Sequence, residues 1–362
     1  MSYVLAFVGF SMLIILHEAG HFAAAKKVGM RVERFSLFFG RPLWSMRRGE
    51  TEYGIGWIPA GGFVKISGMN PHEELPEEVQ HRAYYRQPVW KRLVVIAAGP
   101  IVNLILAFLI FFVFYWANGI ADRSRTEVAQ VNPGSPAAGV LQPGDELLAV
   151  DGKRGEFATL AKQIGTHKCA GTPVDGCEAA TPAVLTVVRD GREQTLEVRP
   201  RYEADEDPPR TLVGFSATSP DKALGPGGSA SQSLDTMWTV TSETVKVVGR
   251  LFYSAEARNE VSGVVGSYET TRRSFQVDWE QAILILGLIS LSLAVINLLP
   301  LLPLDGGHIF WALAEKVRGR AIPFGIMERA SVVGFVLILL LFFIGLENDV
   351  DRLRDGGFDI PQ

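Results

Sequence analysis

Apolar and polar positions along the chain sort into four long apolar runs separated by polar stretches of different character. The runs are Tyr3 to Ala25, about Val94 to Trp116, about Ala282 to Leu302 and about Ser331 to Leu346. A helix needs about 20 apolar residues to cross a bilayer, so these four predict transmembrane helices. The first is the most polar of them and the fourth is the shortest. Between the first two, residues 26–93 carry Lys26, Lys27, Arg31, Arg47, Arg48, Lys91 and Arg92 close to the helix ends. The loop from Lys316 to Arg329 repeats this basic bias, while the tail after Leu346 holds Glu347, Asp349 and Asp351. Positive charge stays in the cytoplasm. The expectation is therefore both termini and residues 118–281 outside, with the two basic stretches inside.

Within residues 31–68 the pattern is not helical. Phe35-Ser36-Leu37-Phe38-Phe39-Gly40, Tyr53-Gly54-Ile55-Gly56-Trp57-Ile58-Pro59 and Gly61-Gly62-Phe63-Val64-Lys65 mix aromatic and β-branched residues with Gly and Pro. This predicts short strands and turns, either a β-hairpin dipping toward the membrane or an ordinary cytoplasmic β-subdomain. At membrane depth such backbone needs protein or a water-filled cavity around it. Its free edge could pair with an extended peptide. Residues 71–87 are polar and acidic and read as a solvated linker.

Thr126 to about Pro200 alternates strand and turn signals: strands at Thr126–Val131, Ala183–Val188 and Gln194–Val198, and turn, strand, turn across Pro143–Gly152. Residues 132–138 read as a turn into a short helix, Phe157–Ile164 as a helix, and Asp190-Gly191 as a hairpin turn. The order, with Pro-Gly-Ser-Pro-Ala-Ala at 133–138 and Pro-Gly-Asp-x-Leu-Leu-Ala-Val-Asp-Gly at 143–152, resembles a PDZ domain of the circularly permuted bacterial type. PDZ domains bind peptide ends by strand addition; a purely steric role is the alternative. Cys169 and Cys177 lie in an insertion here, and an oxidising compartment allows them to pair. Residues 202–233 read as a Pro/Gly/Ser-rich acidic linker. Leu234 to about Ala257 is an amphipathic helix, with Met237, Trp238, Val245, Val248, Leu251 and Phe252 on its apolar side, expected to lie on the outer membrane surface. Ser262-Gly263-Val264-Val265-Gly266 breaks that pattern and is expected to re-enter the interface.

Composition adds a bound. The 362 residues are 48% hydrophobic with a net charge of −4 and mean hydropathy +0.17, which fits a membrane protein with a sizeable soluble part and offers no basic footprint for nucleic acid.

Chemistry concentrates in the first run, where His17-Glu18-Ala19-Gly20-His21 reads His-Glu-x-x-His. Positions i and i+4 share one helix face, so His17 and His21 can address one metal ion, with Glu18 placed to take a proton from a water that ion activates. A charge within a bilayer costs about 2.5–3.5 kcal/mol, so such groups usually serve a function. A cleaved signal peptide is disfavoured: no basic residue precedes the run, and three follow it. A catalytic zinc takes three protein ligands and an open position. Asp305, at the end of the third run, is the best third ligand; His308 competes. Asn103, in the second run, needs a partner, and helix packing explains it as well as function does.

His17-Glu18-x-x-His21, Asn297-x-x-Pro300 running to Leu304-Asp305-Gly306, Gly99-Pro100-x-x-Asn103 and Gly61-Gly62-Phe63-Val64-Lys65 together resemble the site-2 protease family of intramembrane zinc metalloproteases. The resemblance implies a multi-pass α-helical membrane protein with four transmembrane helices, a membrane-associated β-hairpin region and an extracytoplasmic PDZ-like β domain. Its parts are 1–117, the PDZ domain 118–201, linker and surface helix 202–281, and 282–362. It implies Zn2+ on His17, His21 and Asp305, Glu18 as base, and Asn297 as a substrate-side polar residue. Gly61, Gly62, Phe63, Val64 and Lys65 are the candidate strand edge for substrate. The implied activity is regulated intramembrane proteolysis in a bacterial plasma membrane, with the active site near the cytoplasmic side. The substrate would be a single-span protein such as an anti-sigma factor, first trimmed by a site-1 protease. The chain most resembles the branch that cuts anti-sigma factors, which often carries two PDZ domains in tandem; one is visible here. A catalytically inactive membrane PDZ scaffold is the alternative. A metal transporter would spread its polar groups along several helices, and here they cluster at one depth.

Overall fold

The computed structural model describes residues 1–70, 72–206, 209–251 and 253–354. In chain order it contains α1 (Ser2–Lys27), β1 (Val32–Arg48), β2 (Thr51–Ile66), α2 (Glu77–Gln80), α3 (Val89–Asn118) and β3 (Ile120–Ala121). Then come β4 (Glu127–Val131), β5 (Glu146–Val150), β6 (Lys153–Arg154), α4 (Phe157–Ile164), β7 (Ala183–Arg189) and β8 (Arg192–Val198). They are followed by β9 (Arg201–Glu203), β10 (Arg210–Leu212), β11 (Phe215–Thr218), β12 (Asp221–Lys222) and α5 (Pro226–Arg250). The chain closes with α6 (Ala255–Glu260), α7 (Val264–Val277), α8 (Trp279–Asn297), α9 (Asp305–Arg318) and α10 (Phe324–Arg354). It divides into two compact units, one of residues 1–114 and 227–362, the other of residues 115–226.

In the first unit α1, α3, α8 and α10 are long and apolar enough to cross a membrane. Helix α1 stops where Gly29 turns to φ +86, with Lys26 and Lys27 in its last turn facing the negative end of the helix dipole. The third apolar run differs from expectation. Helix α8 ends at Asn297, and Leu298–Leu304 is a turning segment before α9. Two prolines, at 300 and 303, account for this, since neither can donate the backbone bond a helix requires. The fourth helix is longer than its apolar run, 31 residues, and takes in the acidic residues assigned to a tail.

Strands β1 and β2 are long and sharply bent. Residues 42–48 pair with 51–56, while 34–37 pair both with 52–55 and with 62–65. The result is a curled sheet of four segments in the order 42–48, 51–56, 34–37, 62–66, with 62–66 on one edge; the register of 34–37 against 52–55 is parallel and the other two are antiparallel. Positive φ at Phe38, Gly40 and Gly61 makes the bends. Glu50, at the far turn, binds Lys26 at 2.7 Å and Arg82 at 2.6 Å, tying this sheet to the end of α1. The expected linker 71–87 is partly structured: it holds α2 and a 3-10 turn, with Ala83 and Tyr84 buried. Pro71 lies outside the described residues.

The stretch expected to lie on the outer membrane surface also differs in its bounds. The amphipathic helix is α5, which ends at Arg250 and begins eight residues early; Phe252 lies outside the described residues. Residues 262–266 run into the start of α7, where the amides of Gly263 and Gly266 donate to the buried Asp349 of α10 at 3.0 and 2.7 Å.

The second unit is a sheet in the order β11-β4-β5-β7-β8, with β6 on β5. Val128, Leu147, Val150, Leu185, Val187 and Val198 meet Leu160 and Ile164 of α4 in one buried core. Asp190 and Gly191 take φ +52 and +74, the signature of a type I′ hairpin turn. Residues 132–141 are turns without the expected short helix. Within the expected linker 202–233 the described residues are folded instead: β11 pairs with β4, so this unit continues to residue 226, while residues 207 and 208 lie outside the described residues. Cys169 and Cys177 form a disulfide, Cα atoms 6.2 Å apart.

Candidate metal centre

His17 and His21 project from one face of α1, and Asp305 is the first residue of α9. All three are largely withdrawn from solvent, with side chains 8%, 9% and 17% exposed. Asp305 Oδ2 stands 3.2 Å from His17 Nε2 and 3.3 Å from His21 Nε2. The two Nε2 atoms are 3.2 Å apart. Bonds of about 2.0–2.1 Å to a tetrahedral zinc separate its ligand atoms by roughly 3.3–3.4 Å. The triangle fits one face of that tetrahedron, and its fourth corner is left for water or substrate. Asp305 Oδ2 is buried with no hydrogen-bond donor among the described residues, which is the behaviour of an atom meant for a cation. Among the described residues this is the one cluster of His, Cys, Asp and Glu that could hold a metal, and His308 is not part of it.

The neighbours explain the geometry. His21 Nδ1 lies 2.9 Å from the Val95 carbonyl oxygen. Donating there places the proton on Nδ1 and leaves the Nε2 lone pair for the metal. A Cβ at Gly99 would collide with the His21 ring, so only glycine leaves room for the imidazole. On the other side, a Cβ at Gly306 would strike the Leu298 carbonyl and one at Gly334 the Leu302 carbonyl. The turn before Asp305 therefore wraps tightly against α9 and α10. Arg92 of α3 grips Glu315 of α9 through two bonds of 3.0 and 2.6 Å, so the helix that bears Asp305 is also tied to the helix that orients His21.

Glu18 follows His17 and meets the β1–β2 sheet. A Cβ at Gly62 would stand 3.2 Å from its Cγ, so the edge segment passes directly over this carboxylate. Of the strand-edge candidates, Gly61 bends β2 and Phe63 stacks on Phe39 at 5.7 Å. Val64 packs on the core beside α1. Lys65 pairs with Glu33 at 2.6 Å and Glu73 at 3.0 Å. A groove of about 520 Å³ runs beside this edge, lined by Phe63–Ile66, Met69, Asn70 and Glu73. Asn297 is the last residue of α8 and half-buried.

Sequence reasoning missed the Val95 carbonyl, the steric reason for Gly99 and the Arg92–Glu315 pair. A backbone carbonyl leaves no sequence signal. Gly99 did carry one, as a glycine in the motif Gly-Pro-x-x-Asn, but it reads equally as a helix kink beside Pro100.

Comparison with known proteins gives a consistent answer. The sequence model of peptidase family M50 matches residues 5–341. A protein of a Nostoc species assigned as a zinc metalloprotease is 33% identical, the match covering 98% of this chain and 97% of the other. One from Clostridium perfringens with the same assignment is 30% identical over 97% and 98% of the two chains. Zinc metalloprotease Rip1 of Mycobacterium tuberculosis is 29% identical over 98% of each. A model match that covers most of the chain, together with relatives aligned from end to end, shows that the chain belongs to peptidase family M50.

Proposed function

We propose that this chain is an intramembrane zinc metalloprotease that cuts a peptide bond in or near the transmembrane segment of single-span proteins. The observation that carries the reading is the triangle of His17 Nε2, His21 Nε2 and Asp305 Oδ2 with sides of 3.2–3.3 Å. Zinc, when bound there, polarises a carbonyl and makes water acidic enough to lose a proton near neutral pH. The chain's own groups do the rest. Glu18 accepts that proton and returns it to the departing amine. His21, steadied by Val95, and Asp305, steadied by the tight turn before α9, keep the site rigid. A substrate helix hides its carbonyls in internal hydrogen bonds and must unwind before attack. The edge segment Gly61–Lys65, which crosses Glu18, is suited to hold the unwound strand by backbone pairing, and Asn297 is the candidate polar contact on the substrate side.

The charge pattern of the loops supports a plasma-membrane protein with both termini outside and the metal site near the cytoplasmic face. The β1–β2 sheet then lies at that face, with exposed Leu43, Trp44 and Trp57 suited to the lipid boundary. The unit of residues 115–226 is the PDZ-like domain on the outer side. It excludes bulky ectodomains or reads a trimmed chain end, as expected for an anti-sigma factor already cut by another protease. An inactive scaffold remains the contrast. Purified full-length chain is incubated with candidate single-span proteins, with and without a zinc chelator, and products are mapped by mass spectrometry. Cleavage that disappears with chelator and in Glu18→Gln supports the protease; cleavage indifferent to both refutes it.

A further inference from the structure

The two imidazoles of the metal site are not supported alike. His21 Nδ1 has the Val95 carbonyl at 2.9 Å. His17 Nδ1 is buried and has no partner among the described residues. A metal-ligating histidine almost always passes its second ring N–H to a carbonyl, a carboxylate or a water, so the neighbourhood of His17 must supply one.

Arg92 Nε and Asp305 Oδ2 of the helical unit are also buried without a partner among the described residues, but Arg92 Nε is a donor and Asp305 belongs to the ligand triangle. The matching deficiency is that of Asn103 of α3, which is 0% exposed and whose Oδ1 and Nδ2 have no partner among the described residues. Leaving an amide buried and unpaired costs about 1–3 kcal/mol. The interhelical bond at this position uses the backbone instead, Ser290 Oγ donating to the Asn103 carbonyl at 3.0 Å. Helix packing therefore does not account for the side-chain amide.

The register of α1 against α3 puts the two deficiencies together. His21 faces Gly99, a Cβ on Gly20 would meet Ala98 and Val102, and Lys91 Nζ reaches the Val28 carbonyl at 3.0 Å. Rising numbers on one helix meet falling numbers on the other, so the pair is antiparallel. One turn back from His21 is His17, and one turn on from Gly99 is Asn103. Residues four apart share a helix face, so Asn103 points from α3 toward α1 as Gly99 does, at the level of His17.

We propose that Asn103 is a positioning residue of the metal site: its amide, across one ordered water, receives the Nδ1–H of His17 and fixes that ring with Nε2 toward the metal. The water gains the two or more polar partners that a buried water requires. The inference rests on the zinc site proposed above.

The test is metal affinity, not turnover. Full-length chain in detergent is stripped and titrated with Co2+ and Zn2+ against a chromophoric chelator. The Co2+ absorption bands report the ligand field. Asn103→Leu and Asn103→Ala are expected to weaken binding by about 10–100-fold and to shift the Co2+ bands, while Asn103→Asp, which keeps an acceptor oxygen, stays near wild type. In a His17→Ala background, Asn103→Ala should cost nothing further. Melting of the stripped protein is followed in parallel, and alanine guards against overpacking by leucine. Unchanged affinity and bands in both Asn103→Leu and Asn103→Ala, whatever happens to melting, overturn the role of Asn103 while the zinc site stands. Failure of the wild-type chain to bind either metal overturns both.

Discussion

Two buried carboxylates, Asp145 in the sheet unit and Asp305 in the helical unit, are handled in opposite ways. Asp145 is 1% exposed and fully answered by the fold: Arg189 binds it at 2.6 and 2.7 Å, and the Gln142 amide donates at 2.8 Å. Burial alone pushes its carboxyl up, but the guanidinium and the amide more than reverse this and hold it below the usual value. Among the described residues Asp305 has no Lys or Arg partner and no donor for its inner oxygen, only two imidazole nitrogens at 3.2–3.3 Å. Buried charge that the fold pairs is architecture. Buried lone pairs that the fold crowds together are what a ligand set requires, and the difference is visible before any ion is considered.

That contrast breaks if the two sites respond alike to mutation. The largest effect is expected at Glu18: Glu18→Gln should lower cleavage of a single-span substrate by about 10²–10⁴-fold with zinc content unchanged, read by product assay and metal analysis. Next, Gly99→Ala, which drives a methyl into the His21 ring, should cut zinc affinity by about 10–100-fold, measured by chelator competition. Asp145→Ala should leave zinc binding alone and destabilise the sheet unit by about 2–3 kcal/mol, because it strands the Arg189 guanidinium; denaturant unfolding of the full chain reads it. The smallest effect is on pH. The folded pKa of Asp145 is depressed, so its stabilisation is complete above the unfolded value of about 4 and fades as pH falls through the folded one. Wild type should lose stability below that point more steeply than Asp145→Asn, as unfolding against pH would show.

Much of the helical unit was legible because its signals are local. Apolar runs marked the four long helices, and the spacing of His17, Glu18 and His21 marked the candidate metal centre. Asp305 was legible as a residue but not as a helix start: hydrophobicity carries the apolar run to Leu302, although Pro300 and Pro303 mark the break between α8 and α9 in the sequence itself. The missed elements are those that depend on distant partners. Strand β11 lies in a polar, glycine-containing stretch and becomes a strand by pairing with β4, far earlier in the chain. Helix α7 is rich in Ser, Thr and Arg and starts where it does because Asp349 of α10 accepts its first amides. Neither cause can be read from a local window.

Two segments nearly 290 residues apart, at His17 and Asp305, join in the one proposed metal site. Zinc content of the purified chain at a buffered free-zinc level, wild type against Asp305→Ala, tests this most directly. The expected result is one zinc per wild-type chain and a loss of affinity of at least about tenfold in the variant. Stoichiometric zinc held by Asp305→Ala with wild-type affinity would contradict it.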